Sequence, residues 1–169
     1  MDLLDRLLGH DADTTRHLLL LSRDLTDAQL DRPFDIGHET LRRTFVHIIR
    51  NMEVWTDLLD ERPVRPRPEP PMSTESVSGL IARLDAVVPE FAALARRVRD
   101  EGRYDDWWTD VLDDPPQQKT YGGAIAHLIT HSMLHRSEAL HILTRLGVPD
   151  VPEGDVLSWE NSARRAHNA

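Results

Sequence analysis

The stretch from Ala124 to Leu146, AIAHLITHSMLHRSEALHILTRL, decides the fold. Its length and apolar spacing are those of one long amphipathic helix, and it carries His127, His131, His135 and His141. Four residues turn an α-helix by roughly 400°, so His131 and His135 lie about 40° apart, one turn above the other. Ala124, Leu128, Leu134, Ala139, Ile142 and Leu146 project within about 80° of His131, which places both imidazoles inside the apolar stripe, facing the core. Two readings account for such a pair. Neutral imidazoles at i and i+4 converge on one metal ion, or both are core histidines satisfied by backbone or buried polar partners. The spacing alone does not choose between them; a third ligand from elsewhere in the chain would.

Composition narrows the chemistry. The chain has 169 residues, enough for one domain with a proper core, and no cysteine, so thiolate ligands, disulfides and a cysteine nucleophile are excluded. Any metal must be held by nitrogen and oxygen. The net charge of −9 is the wrong sign for a nucleic-acid binder or for an anionic membrane surface. The first residues, MDLLDRLLGHDADTTRHLLLL, are broken by Asp2, Asp5, Arg6, Asp11 and Asp13 and read as neither a signal peptide nor a membrane span. The expected setting is the cytoplasm.

Outward from the histidine stretch, three further helices are predicted. Asp2 to Leu25 repeats leucine at three and four, with Asp11, Thr14 and Thr15 as a polar break in its stripe. His10 and His17 there read as surface or boundary residues; alternatively the break lines a site, with His10 the residue to watch. Thr26 to Glu39 is a connection with one helical turn around Asp27 to Leu30. Glu39 or Thr40 opens a helix to about Leu59, with Leu41, Ile48, Val54, Trp55, Leu58 and Leu59 on its apolar face. His47 falls on the edge of that face, with Asn51 one turn on, and is the candidate third ligand. Glu61 to Pro71 is proline-rich and reads as a stiff extended connector, with Ser73 or Thr74 capping the next helix. That helix runs to about Arg99, and Pro89 should kink or break it.

Gly102 to Thr120 reads as a long loop, of a length that is functional or carries a small element of its own. Trp107 and Trp108 either anchor it or wall a pocket. After Gly147 the remaining residues read as an irregular tail, pinned in part by Trp159 and with His167 disordered. The expected architecture is all-α: a four-helix bundle with long connections over residues 1–150, followed by an irregular tail over 151–169.

Two strings, DRPFDIGHETLRRTFVHIIRNMEVW and TYGGAIAHLITHSMLHRSEALHILTRLGV, resemble the DinB-like family, named for damage-inducible proteins and distinct from the DNA polymerase that shares the label. The resemblance runs from the first helix to Val148. It implies a four-helix bundle in which three histidines hold a divalent metal, at His47, His131 and His135 here. The family often ends its motif HRxQ; Glu138 stands in place of the glutamine, about 20° from His131 on the helix, as a partner to a ligand or an additional one. His127 reads as a residue lining the pocket or supporting a ligand. Arg136 projects roughly 140° from His131 and reads as a member of a structural ion pair.

Three neutral nitrogens leave coordination positions open, the pattern of a catalytic metal. Zinc, nickel and iron all suit such ligands. The wider superfamily resembles thiol-dependent transferases and isomerases that use bacillithiol, mycothiol or glutathione. The implied function is therefore a metal-dependent transferase or isomerase that activates a small thiol cosubstrate, with Glu138 and His127 the candidate bases. The competing function is a non-catalytic, metal-containing stress-response module for binding or dimerisation. A homodimer is expected in either case. A di-iron carboxylate site is excluded because the paired E-x-x-H motifs are missing.

Overall fold

The computed structural model describes residues 1–66 and 74–167. Four long helices dominate it: α1 (Leu3–Leu21), α3 (Leu41–Leu59), α4 (Val77–Asp100) and α5 (Tyr121–Arg145). Each starts on a side-chain cap. Asp2, Thr40, Ser76 and Thr120 accept from the backbone N–H three residues on, satisfying one of the donors that the first turn leaves free. The short α2 (Asp27–Leu30) carries a full capping box between Thr26 and Gln29, as its turn-forming sequence suggests. Helix α3 packs on α4 and α5, and α1 packs on the same two, so the four surround a common core. The all-α expectation holds, and no helix among the described residues is long and apolar enough to cross a membrane.

Several local expectations are corrected. The cap of α4 is Ser76; Thr74 lies in a short turn before it, and Ser73 and the end of the proline-rich connector lie outside the described residues. Pro89 does not break α4. It is exposed, and the missing N–H costs one ladder hydrogen bond without interrupting the buried face on either side. Gly102 to Thr120, by contrast, does carry a small element of its own, a hairpin in which β1 (Trp107–Asp110) pairs antiparallel with β2 (Gln117–Thr120), Trp107 opposite Thr120. Alternation turns Trp108 and Asp110 inward and leaves Trp107 and Thr109 exposed. The tail read as irregular, with His167 disordered, forms α6 (Val156–His167). Trp159 of α6 sits over Gly9 of α1, where an added Cβ would lie 2.9 Å from the indole, and its Nε1 donates to Asp13 at 3.0 Å.

The apolar stripe of α5 is also rotated from its expected centre. Its buried residues include Leu128, Ile129, Ser132, His135, Arg136 and Ala139, whereas Leu134 is 58% exposed. His131 therefore sits half-buried on one flank of the stripe, and Arg136 fully buried on the other. The polar break in α1 explains Arg136. Its Nη1 donates to the Asp11 carboxylate and lies 3.4 Å from Thr15 Oγ1, all three residues being buried. Burial pushes the Asp11 carboxyl up and the guanidinium pulls it back down.

Removing one member of such a pair strands the other. Asp11→Ala should cost about 3–5 kcal/mol in urea denaturation, while Asp11→Leu combined with Arg136→Met, which removes both charges, should recover most of that loss. A single variant as stable as the wild type would contradict the pairing.

Candidate metal centre

The flank of α5 opposite Arg136 faces α3, and there the histidines meet. His131 Nε2 lies 3.2 Å from His47 Nε2 and 3.2 Å from His135 Nε2. The i, i+4 spacing in α5 supplies two of these rings, and His47, three turns before the end of α3, supplies the third from across the helix interface. Helix periodicity thus pairs the two α5 rings, and the packing of α3 on α5 adds the third.

The surrounding hydrogen bonds fix which nitrogens carry lone pairs. His135 Nδ1 donates to Glu138 Oε2 at 2.7 Å, so in the neutral ring Nε2 is the bare acceptor. Asn51 Nδ2 donates to His47 Nε2 at 3.0 Å, which makes that nitrogen an acceptor too. His131 Nε2 can place one proton towards only one of its two neighbours. At most one of the two 3.2 Å contacts is therefore a well-aligned hydrogen bond when all three rings are neutral.

Protonation does not relieve this easily. Burial, then the neighbouring His38, His135 and His131, push His47 down to about 3. Burial, then His135 and His127, push His131 down to about 4. A divalent cation satisfies the same geometry: two nitrogens about 2.0–2.1 Å from an ion in tetrahedral array stand roughly 3.3 Å apart. The donor set fits.

A fourth histidine joins the cluster. His38 lies in the segment between α2 and α3, with its ring 3.8 Å from that of His47 and 4.9 Å from that of His135. Ligand atoms of His38, His47 and His135 all lie within 4.8 Å of one another, a grouping that can hold a metal ion. Burial, then His135, lowers the pKa of His38 as well. Its placement depends on left-handed backbone on either side, Gly37 at φ +46° and Glu39 at φ +66°. Gly37 has a second role, because a Cβ there would stand 2.1 Å from Glu138 Oε2. The carboxylate that orients His135 is seated against the bare glycine.

The structure thus brings together His47, His131 and His135, adds His38 and Asn51, and places Glu138 as the partner of His135. His127 is exposed and stands outside the cluster, its ring 5.4 Å from that of His131 and 5.2 Å from Trp55. His10 is elsewhere: it is buried, and its Nε2 pairs with Gly154 O at 2.8 Å, tying α1 to the segment before α6. His17 and His141 are exposed. His38 escaped the sequence reading because it lies on no periodic element; the Gly-His-Glu turn just before the Thr40 cap was its only signal.

The DinB superfamily model matches residues 11–139, which run from the middle of α1 into the last third of α5 and contain all four clustered histidines. The chain belongs to the DinB superfamily. No curated protein matches it.

The lowered histidines give a pH signature in the metal-free protein. Above their ordinary value of 6.5 both folded and unfolded chains are neutral at these rings, and nothing is lost. As pH falls below 6.5 the unfolded chain takes up protons that folded His47 and His131 refuse until about 3 and about 4, so stability falls through that window. Thermal melting from pH 7 to pH 5 should show the decline, and His47→Gln should flatten it. Equal slopes for the two proteins would contradict the assigned shifts.

Proposed function

We propose that the chain is a metal-dependent transferase or isomerase in which His47, His131 and His135 hold a divalent ion, zinc, nickel or iron, that activates a low-molecular-weight thiol. The observation that supports this reading is the approach of His131 Nε2 to within 3.2 Å of both His47 Nε2 and His135 Nε2, a spacing that nitrogens sharing one ion would have. When bound, the ion would lower the pKa of a coordinated thiol or polarise a carbonyl.

The remaining roles belong to the chain's own side chains. Glu138 holds the His135 proton on Nδ1 and so keeps Nε2 directed at the centre. Asn51 acts differently on His47: its Nδ2 donates to Nε2 itself, so it holds that nitrogen as an acceptor and would give up the bond to a bound ion. Lowered pKa values keep His47 and His131 neutral, and hence able to ligate, well below neutral pH. The chain has no cysteine, which suits a thiol that arrives with the cosubstrate. Bacillithiol, mycothiol and glutathione are the candidates by family resemblance, and a cytoplasmic homodimer belongs to the same reading.

One observation favours the second reading, a non-catalytic metal-containing stress-response module. His38 offers a nitrogen within 4.8 Å of those of His47 and His135, and four protein ligands would close the site. Cobalt(II) in place of the native ion separates the two. Addition of glutathione, mycothiol or bacillithiol to the cobalt protein should produce a thiolate-to-cobalt charge-transfer band, absent in His131→Ala. A cobalt protein whose spectrum ignores all three thiols would favour the closed module.

A further inference from the structure

One cavity stands next to the histidine cluster. It has a volume of about 450 Å³ and lies between α3, the hairpin and the first two turns of α5, with Trp55, Trp107, Gln118, Lys119 and His127 among its walls. A chain of rings joins it to the centre: Trp55 is 5.2 Å from His127, and His127 is 5.4 Å from His131. The larger groove between α1 and α4, lined by Met1, Leu8 and Arg96, and the cleft under α6, lined by His17 and Trp159, include none of these residues.

We propose that this cavity binds a neutral, planar aromatic or conjugated group, the acceptor substrate of the reaction if the metal-dependent reading above holds. Shape argues for planarity. Two indoles and an imidazole line the space, and Trp55 is held in place by Trp108, edge to face at 5.8 Å. Trp107, on the outward face of β1, is 68% exposed, an uncommon state for the largest apolar side chain and one that a flat ligand would relieve.

Charge argues for neutrality. Lys119 is the sole cation in the wall, and it is already matched: its Nζ donates to Asp110 at 2.5 Å and to Asp113 at 2.9 Å while standing 5.4 Å over the Trp55 ring. Two carboxylates on one ammonium leave no positive charge for an anionic ligand. Among the described residues no carboxylate lines the cavity to receive a cation. What remains for a ligand's polar edge is the third Lys119 N–H and the Gln118 amide, whose Nε2 spends one N–H on Thr109 Oγ1 at 2.7 Å and keeps the other; both suit a hydroxyl or carbonyl oxygen.

The test is a titration of the full chain with 2-naphthol, followed through the indole N–H resonances of its tryptophans, beside 2-naphthoate as the anionic counterpart. The Trp55 and Trp107 signals should move with 2-naphthol and Trp159 should not. Trp107→Ala should weaken binding about fivefold, and 2-naphthoate should bind more weakly than 2-naphthol. Unmoved Trp55 and Trp107 signals, equal affinity in Trp107→Ala, or tighter binding of the naphthoate would each overturn the proposal. The same titration after chelation keeps the two readings apart. Naphthol binding by a protein that takes up no metal removes the metal chemistry and leaves the cavity, whereas a metal-bearing protein that ignores naphthol does the reverse.

Discussion

The guanidinium of Arg136, buried against Asp11 and Thr15, fixes the rotation of α5 about its own axis. A helix presents its side chains at about 100° per residue, so docking Arg136 onto α1 decides where every other residue of α5 points. With Arg136 turned to α1, His131 and His135 face α3, and His47 meets them there. Charge burial of this kind contributes little net stability, but a misrotated α5 would leave an unpaired cation in the core. The pair thus acts as a register device, and the polar break in α1 is its receptor.

The cluster that results is built in layers. Helix spacing brings the nitrogens together, Glu138 and Asn51 set which of them carry lone pairs, and Gly37 makes room for Glu138. Each layer narrows what the next can do. Ring nitrogens held 3.2 Å apart, on rings kept neutral, are suited to a cation and poorly suited to proton transfer near neutral pH. The hairpin adds a different kind of surface beside them, aromatic and electrically balanced. An ion bound in the cluster, flanked by such a cavity, would hold two reactants near one point.

Much of this was legible in the sequence because it is periodic. The four long helices follow from leucines and valines at three and four, and His47, His131 and His135 follow from the same arithmetic. What escaped depends on long-range packing. The stripe of α5 is centred away from Leu134 because Arg136 had to face Asp11, a partner 125 residues away that no local pattern shows. His38 sits on left-handed backbone with no period to betray it. Strands of four residues are too short for alternation to register, so the length of Gly102 to Thr120 pointed to a small element there without showing that it is a hairpin. Helix α6 draws its order from Trp159 lying on Gly9, a contact from the far end of the chain.

The central claim is that the histidine cluster holds a metal, and elemental analysis of untagged protein, purified without a metal column, tests it most directly. The account predicts one divalent ion per chain in the wild type and its loss in His131→Ala, with the fold retained by circular dichroism. Wild-type protein that carries no metal and takes none up when zinc, nickel or iron is supplied would contradict it.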